Sequence, residues 1–288
     1  MRYSLHQIHE SDNYPFDAAD YSYFKFGNTE KAQAFGKALF DGFIAECGAM
    51  ILQQNEIVVL PSPYHHIPTA SNYLCFYFTK HLNRFLYHNG KKAAATSKIY
   101  RNQTYTEDYG NLDFEQRVKL IANDTYYIDR NYIEGKCCIF IDDIKITGSH
   151  ELTVNKILDQ YAVKGNFCFL YFAELMNKAI HPNIENHFNY FAVKSMEDIG
   201  GLARQAAFKF NTRAVKYVLS ATHEEFLIFL ATIPEELSAE LLDLALGNNY
   251  HLIDKYNYNI QHLKNTLWPS TYKKDKEKPL AHRNLPLV

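Results

Sequence analysis

One stretch constrains the fold of this chain more than any other: Cys137-Cys138-Ile139-Phe140-Ile141, followed by Asp142-Asp143-Ile144-Lys145-Ile146-Thr147-Gly148-Ser149-His150. Five apolar residues run without alternation, which suits a strand buried on both faces, as in a parallel sheet under helices. Two carboxylates come next, then a loop ending in Thr-Gly-Ser. A helical pattern follows in Glu151, Leu152, Val154, Ile157 and Leu158. The strand should end at the acidic pair and leave both aspartates partly exposed at its carboxyl end, where ligands of open α/β sheets bind. Backbone N–H groups at the helix start, with the hydroxyls of Thr147 and Ser149, can hold a phosphate. Asp142 and Asp143 can accept from sugar hydroxyls or hold a hydrated Mg²⁺. The bland alternative is a buried strand that happens to end in two aspartates before an ordinary cap. The ordered pattern as a whole argues against it.

The rest of the chain alternates strand and helix signals. Residues 1–28 are aromatic and polar, with Pro15 and Gly27, and should wrap the surface or add an edge strand. A helix should begin at Asn28 or Thr29, where Thr29 can cap, and run to about Met50 on Ala32, Phe35, Leu39 and Phe43. Glu56–Leu60 reads as a buried strand. It feeds the proline-rich loop Pro61–Ser71 and then a helix over Asn72–Leu86, a second strand-loop-helix turn able to hold an anion. Residues 89–110 form a long polar segment, with a third strand near Lys98–Tyr100; loops of this length are usually lids or disordered. A short helix is expected over Asp113–Ala122 and an extended piece over Tyr126–Ile128. Later, Gly165-Asn166 turns into a buried strand, Phe167–Phe172, and Phe188–Val193 reads as one more strand. Strands alternating with helices specify a parallel, doubly wound sheet.

From about Ser195 the pattern is helical: Met196–Phe208, Asn211–Leu219, Thr222–Thr232, Pro234–Leu246 and His251–Leu267. Thr222 with Glu225 forms a capping box, and Pro234 suits a first-turn position. The expected organisation is an N-terminal extension (1–28), an α/β domain (29–195), a helical C-terminal region (196–270) and an exposed tail (271–288).

Composition excludes several classes. A net charge of −2 gives no general pull toward nucleic acid or an acidic membrane surface. No segment is long enough to cross a bilayer, and the first residues hold no apolar signal core. The five cysteines (Cys47, Cys75, Cys137, Cys138, Cys168) form no Cys-x-x-Cys pair and mostly sit in apolar runs. Buried free thiols in a reducing cytoplasm are the expectation. There is no Walker loop, no Gly-x-Gly-x-x-Gly, no His-Glu-x-x-His and no zinc-spaced cysteine set.

Ile139 to Ser149 resembles, residue by residue, the signature of type I phosphoribosyltransferases (PRTases), with His150 standing where that family usually has Thr or Ser. The wording of Pro61, Pro63 and His65 or His66 looks most like the ComF-like branch, whose usual Arg-rich stretch and N-terminal zinc ribbon are missing here. Arg101, Thr104-Tyr105, Leu112 and Arg117 loosely resemble that branch's lid segment. The resemblance covers roughly residues 30–195. It implies a type I PRTase-like parallel sheet flanked by helices, followed by the helical C-terminal region. It implies transfer of ribose 5-phosphate from 5-phosphoribosyl-1-pyrophosphate (PRPP) to a nitrogen base, with release of pyrophosphate and with Mg²⁺ as cofactor.

In that reading Asp142 and Asp143 hold the ribose hydroxyls, or the metal through its water shell. Ile144, Lys145, Ile146, Thr147, Gly148 and Ser149 cradle the 5′-phosphate. Ser62, Pro63, Tyr64, His65 and His66 form the pyrophosphate loop, and Arg101 or Lys98 comes from the lid. The partners are PRPP or a nucleoside monophosphate and a base, with no nucleic acid and no membrane; a homodimer is compatible. The helical region, with stripes such as Phe226, Phe229 and Ile233, should pack on the sheet domain, wall the base side and contribute nothing to phosphate binding. The rival reading is a non-catalytic PRPP or nucleotide sensor on the same fold, favoured by the poor basic content of Ser62–Ser71. The long polar segment 89–110 favours an enzyme, and the base itself cannot be read from the sequence.

Overall fold

The computed structural model describes residues 1–101 and 126–268. Its first half is built from β1 (Arg2–Ile8), α1 (Ala18–Lys25), α2 (Thr29–Leu52), β2 (Ile57–Pro61), α3 (Ala70–His88), β3 (Ala95–Thr96) and β4 (Tyr100–Arg101). There follow β5 (Tyr126–Tyr127), α4 (Arg130–Ile133), β6 (Cys137–Lys145), α5 (Ser149–Gln160), β7 (Asn166–Leu175) and α6 (Ile184–Asn189). The C-terminal region is helical: α7 (Met196–Ala203), α8 (Thr212–Leu219), α9 (His223–Thr232), α10 (Glu235–Gly247), a 3₁₀ turn at Tyr250–Leu252 and α11 (Asp254–Leu267).

Five strands form a parallel sheet in the order β1-β7-β6-β2-β3. The unalternated apolar runs are explained by what covers each face. Val59, Ile139, Ile141, Leu170 and Phe172 point to a core shared with α1, α2, α3 and α6. Val58, Leu60, Cys138, Phe140 and Phe169 point to a second core under α5. A third core lies inside the C-terminal helices. Among the described residues no helix is long and apolar enough to cross a membrane. Cys75, Cys137, Cys138 and Cys168 are buried free thiols, and Cys47 is half-buried.

Local rules placed most boundaries. The Asn28 side chain, not that of Thr29, caps α2 by accepting from the Lys31 amide. Thr222 and Glu225 form the expected reciprocal capping box, and Ser195 with Asp198 forms another at α7. Thr222→Ala should lower unfolding free energy by about 1 kcal/mol, measured by urea titration; an unchanged midpoint would contradict the cap's role.

Four expectations are corrected. The third strand near Lys98–Tyr100 is split: Ala95–Thr96 joins the sheet, whereas Tyr100–Arg101 pairs antiparallel with Tyr126–Tyr127 in a separate ribbon. Residues 188–193 do not form a strand. Ile184 and Phe188, four apart, put one helical face of α6 into the core, and the Phe188 ring packs on Tyr14, Phe16 and Tyr21. Residues 1–28 do supply an edge strand, β1, but they also supply the buried helix α1, capped by Asp17. Finally, β6 does not stop at the acidic pair but pairs with β7 through Lys145. The helix expected at Asp113–Ala122, Thr104-Tyr105, Leu112, Arg117 and the tail 271–288 lie outside the described residues.

Candidate functional site

The carboxyl ends of β2 and β6 open on a cavity of about 400 Å³, a size suited to a small ligand. Asp142 and Asp143 both line it, at adjacent positions of a strand whose side chains alternate. Their environments differ. Asp143 is buried, 6% exposed, and lies between Lys25 and Tyr21 of α1. The Lys25 ammonium is in direct contact with Asp143 Oδ2, and Tyr21 Oη donates to the same oxygen at 2.6 Å. Burial pushes the Asp143 carboxyl above its ordinary value, against the pull of Lys25. The expectation of two partly exposed aspartates is therefore corrected for Asp143, because α1 from the N-terminal segment covers it.

Asp142 is half-buried. Its Oδ1 accepts from Ser62 Oγ at 2.6 Å and from the Asp143 amide at 2.9 Å, and its Oδ2 lies 3.0 Å from His150 Nδ1. Burial alone would raise this carboxyl, yet the imidazole, the amide and the hydroxyl hold it below its ordinary range. Burial likewise pulls the His150 imidazole down, and Asp142 overcomes it, so the net direction is up.

The pair gives a pH dependence with two edges. Asp142 is lowered from 3.8, so its contribution to stability is complete above that value and is lost as pH falls through the folded-state value. His150 is raised from 6.5, so its contribution is complete below that value and is lost as pH rises through the folded-state value. His150→Asn should therefore be more destabilising at about pH 5.5 than at about pH 8.5, read by urea unfolding at both. A cost independent of pH would contradict the ion pair.

The turn between β6 and α5 is built around Gly148. Gly148 takes a left-handed conformation (φ 76°) that favours glycine, and it turns the chain into α5. Thr147 Oγ1 donates to Ser149 Oγ at 3.1 Å. Ile144, Lys145, Ile146, Thr147, Gly148 and Ser149 all line the cavity. Lys145 does not present a bare charge there: its Nζ lies 2.8 Å from Glu174 and 3.3 Å from Glu151. Arg2 of β1 binds the same Glu151 through two hydrogen bonds.

The proline-rich loop is only half in place. Ser62 and Pro63 line the cavity, as do Thr69, Ala70 and Ser71 at the start of α3. Tyr64, His65 and His66 are used elsewhere. Lys98 Nζ sits 3.7 Å from the centre of the Tyr64 ring and donates to the His65 carbonyl at 2.7 Å. His65 Nδ1 meets the Arg101 carbonyl at 2.9 Å. The His66 ring lies against Gly247, where a Cβ would come within 2.4 Å of it. The amides of His66 and Ile67 both donate to Asn248 Oδ1 of the C-terminal region. Of the two lid candidates, Arg101 lines the cavity and Lys98 is spent on loop 64–66.

Several lining residues were not found from sequence. Lys25 comes from α1, Glu185 and Tyr190 from α6 and the turn after it, and Thr212, Arg213, Lys216 and Tyr217 from α8. Asp17-Ala18 with Tyr21, Ser22 and Lys25 carries a cap and helical spacing that could have revealed α1. The C-terminal helices pack on the sheet domain in the same chain: Asn211 Nδ2 donates to the Lys25 carbonyl, and Thr212 Oγ1 to that of Ile67.

Strand, acidic pair, glycine turn and helix N-terminus around one cavity define a ligand site of an open α/β sheet suited to an anion. Residues 1–263 match the family described as PRTase ComF-like, and the chain belongs to that family. No curated protein matches it. Among solved structures it is similar to an adenine phosphoribosyltransferase, with 16% identity over 49% of this chain and 70% of the other and a TM-score of 0.30. It is also similar to the adenine phosphoribosyltransferase of Saccharomyces cerevisiae (16% identity, 49% and 68% covered, TM-score 0.28). A hypoxanthine phosphoribosyltransferase of Staphylococcus aureus gives 14% identity, 52% and 75% covered, and a TM-score of 0.27. Likeness at this level adds nothing to the family assignment.

Proposed function

We propose that this protein transfers ribose 5-phosphate from PRPP to a nitrogen base and releases pyrophosphate. The observation that carries the reading is the joint opening of Asp142, Asp143 and the turn 145–149 on one cavity, in a chain of the PRTase family. A lone pair on the base nitrogen forms the new bond to the anomeric carbon. The bond from that carbon to the pyrophosphate oxygen breaks, and pyrophosphate leaves with the electron pair. No protein nucleophile is required, so the chain's work is positioning, charge stabilisation and exclusion of water.

Asp142 would exchange its Ser62 hydroxyl for a ribose hydroxyl, an acceptor role the carboxylate already fills. Asp143, fixed by Lys25 and Tyr21, would hold the second carboxylate at the sugar. The α5 N-terminus with Thr147 and Ser149 would take the 5′-phosphate. Protein donors already meet both Asp142 oxygens and one Asp143 oxygen, which favours a metal held through water over direct ligation. Mg²⁺ would meet Asp142 through water, keeping most of its shell as that ion does. When bound, it supplies neutralisation of the pyrophosphate charge.

A second reading, a sensor that binds PRPP or a nucleotide without turnover, is supported by the turning of Tyr64, His65 and His66 away from the cavity. Pyrophosphate release from PRPP across a panel of bases separates the two. The enzyme releases it with at least one base, and Arg101→Ala slows that release by about tenfold or more, as expected for a lost charge near the leaving group. Saturable binding with no release across the panel would establish the sensor and overturn the enzyme.

A further inference from the structure

The proline-rich loop leaves the cavity after Pro63, and the next residues take up a different task. Ser62 and Pro63 line the cavity, whereas Tyr64 and His65 meet the short ribbon of β4 and β5. Arg101 belongs to that ribbon and also lines the cavity. Both of its main-chain groups are held by the loop. Its amide donates to the Tyr64 carbonyl at 3.3 Å. Its carbonyl lies 2.9 Å from His65 Nδ1. A carbonyl can only accept, so His65 carries a proton on Nδ1. One residue earlier, Tyr100 bridges to Tyr64 in parallel register.

The ribbon needs this support. It consists of two residue pairs, Tyr100 with Tyr127 and Arg101 with Tyr126. A two-stranded pairing of that size does not hold itself together in water. The loop is braced in its turn. The Lys98 ammonium lies 3.7 Å from the centre of the Tyr64 ring and 4.7 Å from that of Tyr100, and it donates to the His65 carbonyl at 2.7 Å. An ammonium close to two aromatic rings is attracted to both. Asn248 Oδ1 accepts from the amides of His66 and Ile67, which ties the same loop to the C-terminal region. The guanidinium carried by this assembly acts on the acidic end of the cavity. Its charge weighs against the imidazolium of His150, the partner of Asp142.

We infer that His65 is a positioning residue: with Tyr64 and Lys98 it fixes the main chain of Arg101, and so the place of the guanidinium in the cavity, from outside the cavity lining. This rests on the phosphoribosyl reading, in which Arg101 serves the diphosphate, and adds to it the device that aims Arg101. A misplacement of about 1 Å can cost on the order of a hundredfold, so a contact remote from the ligand still counts. The turning of Tyr64 and His65 away from the cavity is then as compatible with an enzyme as with a sensor.

The test is a double-variant cycle on the full-length protein, read by calorimetry with PRPP and Mg²⁺ and, separately, with ribose 5-phosphate. His65→Ala should weaken PRPP binding by about fivefold or more, on the scale of one lost hydrogen bond, and leave ribose 5-phosphate within about twofold. His65→Asn, whose amide can still donate, should restore most of the PRPP affinity. Arg101→Ala should weaken PRPP at least as much, and adding His65→Ala to it should cost nothing further, because His65 then has nothing left to position. Lys98→Met should repeat the His65→Ala pattern and takes its place if that variant does not fold. Losses that add in the double variant would make His65 a ligand contact in its own right and overturn the inference. So would a His65→Ala protein that binds PRPP as the parent does, or one that loses ribose 5-phosphate equally, which would make the loop merely structural. No binding of PRPP by the parent would instead remove the phosphoribosyl reading, and this inference with it.

Discussion

Lys25→Met is expected to lower the unfolding free energy by about 3–5 kcal/mol, the range for breaking a buried ion pair by removing one partner. Side chains of Lys25 and Asp143 are only 10% and 8% exposed, so water cannot compensate the orphaned carboxylate. The cost is desolvation without a counter-charge, not merely a lost contact. Lys25→Met combined with Asp143→Leu should recover part of the loss, since replacing both partners by apolar groups of similar volume is often close to neutral. Urea titration of the two variants checks this; a loss below about 1 kcal/mol for Lys25→Met would mean that the pair is hydrated and weak.

Asp142→Asn should reduce affinity for a ribose 5-phosphate ligand by about 10- to 100-fold, from the 1.5–3 kcal/mol typical of hydrogen bonds to a charged group. The fold should survive, because Asn retains a carbonyl for the Ser62 hydroxyl and for the Asp143 amide. Asp143→Asn is a poorer probe, since it strands Lys25 in the interior. The two aspartates, equivalent in sequence, thus separate by function: one held within a buried ion pair, the other at the centre of a polar network. Calorimetry on Asp142→Asn checks the prediction, and unchanged affinity would make that carboxylate structural.

The signature was legible because its pattern is local. An apolar run, two acids, a glycine turn and a helix start all lie within fourteen residues, Cys137–His150. Helix caps such as Thr222 with Glu225 were legible for the same reason. What failed was decided by distant packing. Phe188–Val193 carries strand-like composition, yet Phe188 packs on the rings of Tyr14, Phe16 and Tyr21 as part of a helix that ends at Asn189. His65 and His66 look like loop ligands until Arg101, Asn248 and Gly247 claim them. The C-terminal helices were expected to wall the base side of the pocket and to contribute nothing to phosphate binding, with no lining residue named. The wall could not be seen because Arg213 and Lys216 become lining residues only once Asn211 and Thr212 anchor α8 to the end of α1 and to the loop before α3, 144 to 186 positions away in sequence. Lys25 reaches Asp143 across 118 positions, a separation no local pattern reports.

A phosphorylated ribose in this cavity is the premise common to both functional readings. Titration calorimetry of the full-length protein with PRPP, with and without Mg²⁺, tests it most directly. Saturable heat at one site, strengthened by Mg²⁺ and weakened by Asp142→Asn, is the expected result. Absence of heat with PRPP, AMP, GMP, UMP and ribose 5-phosphate alike would contradict it.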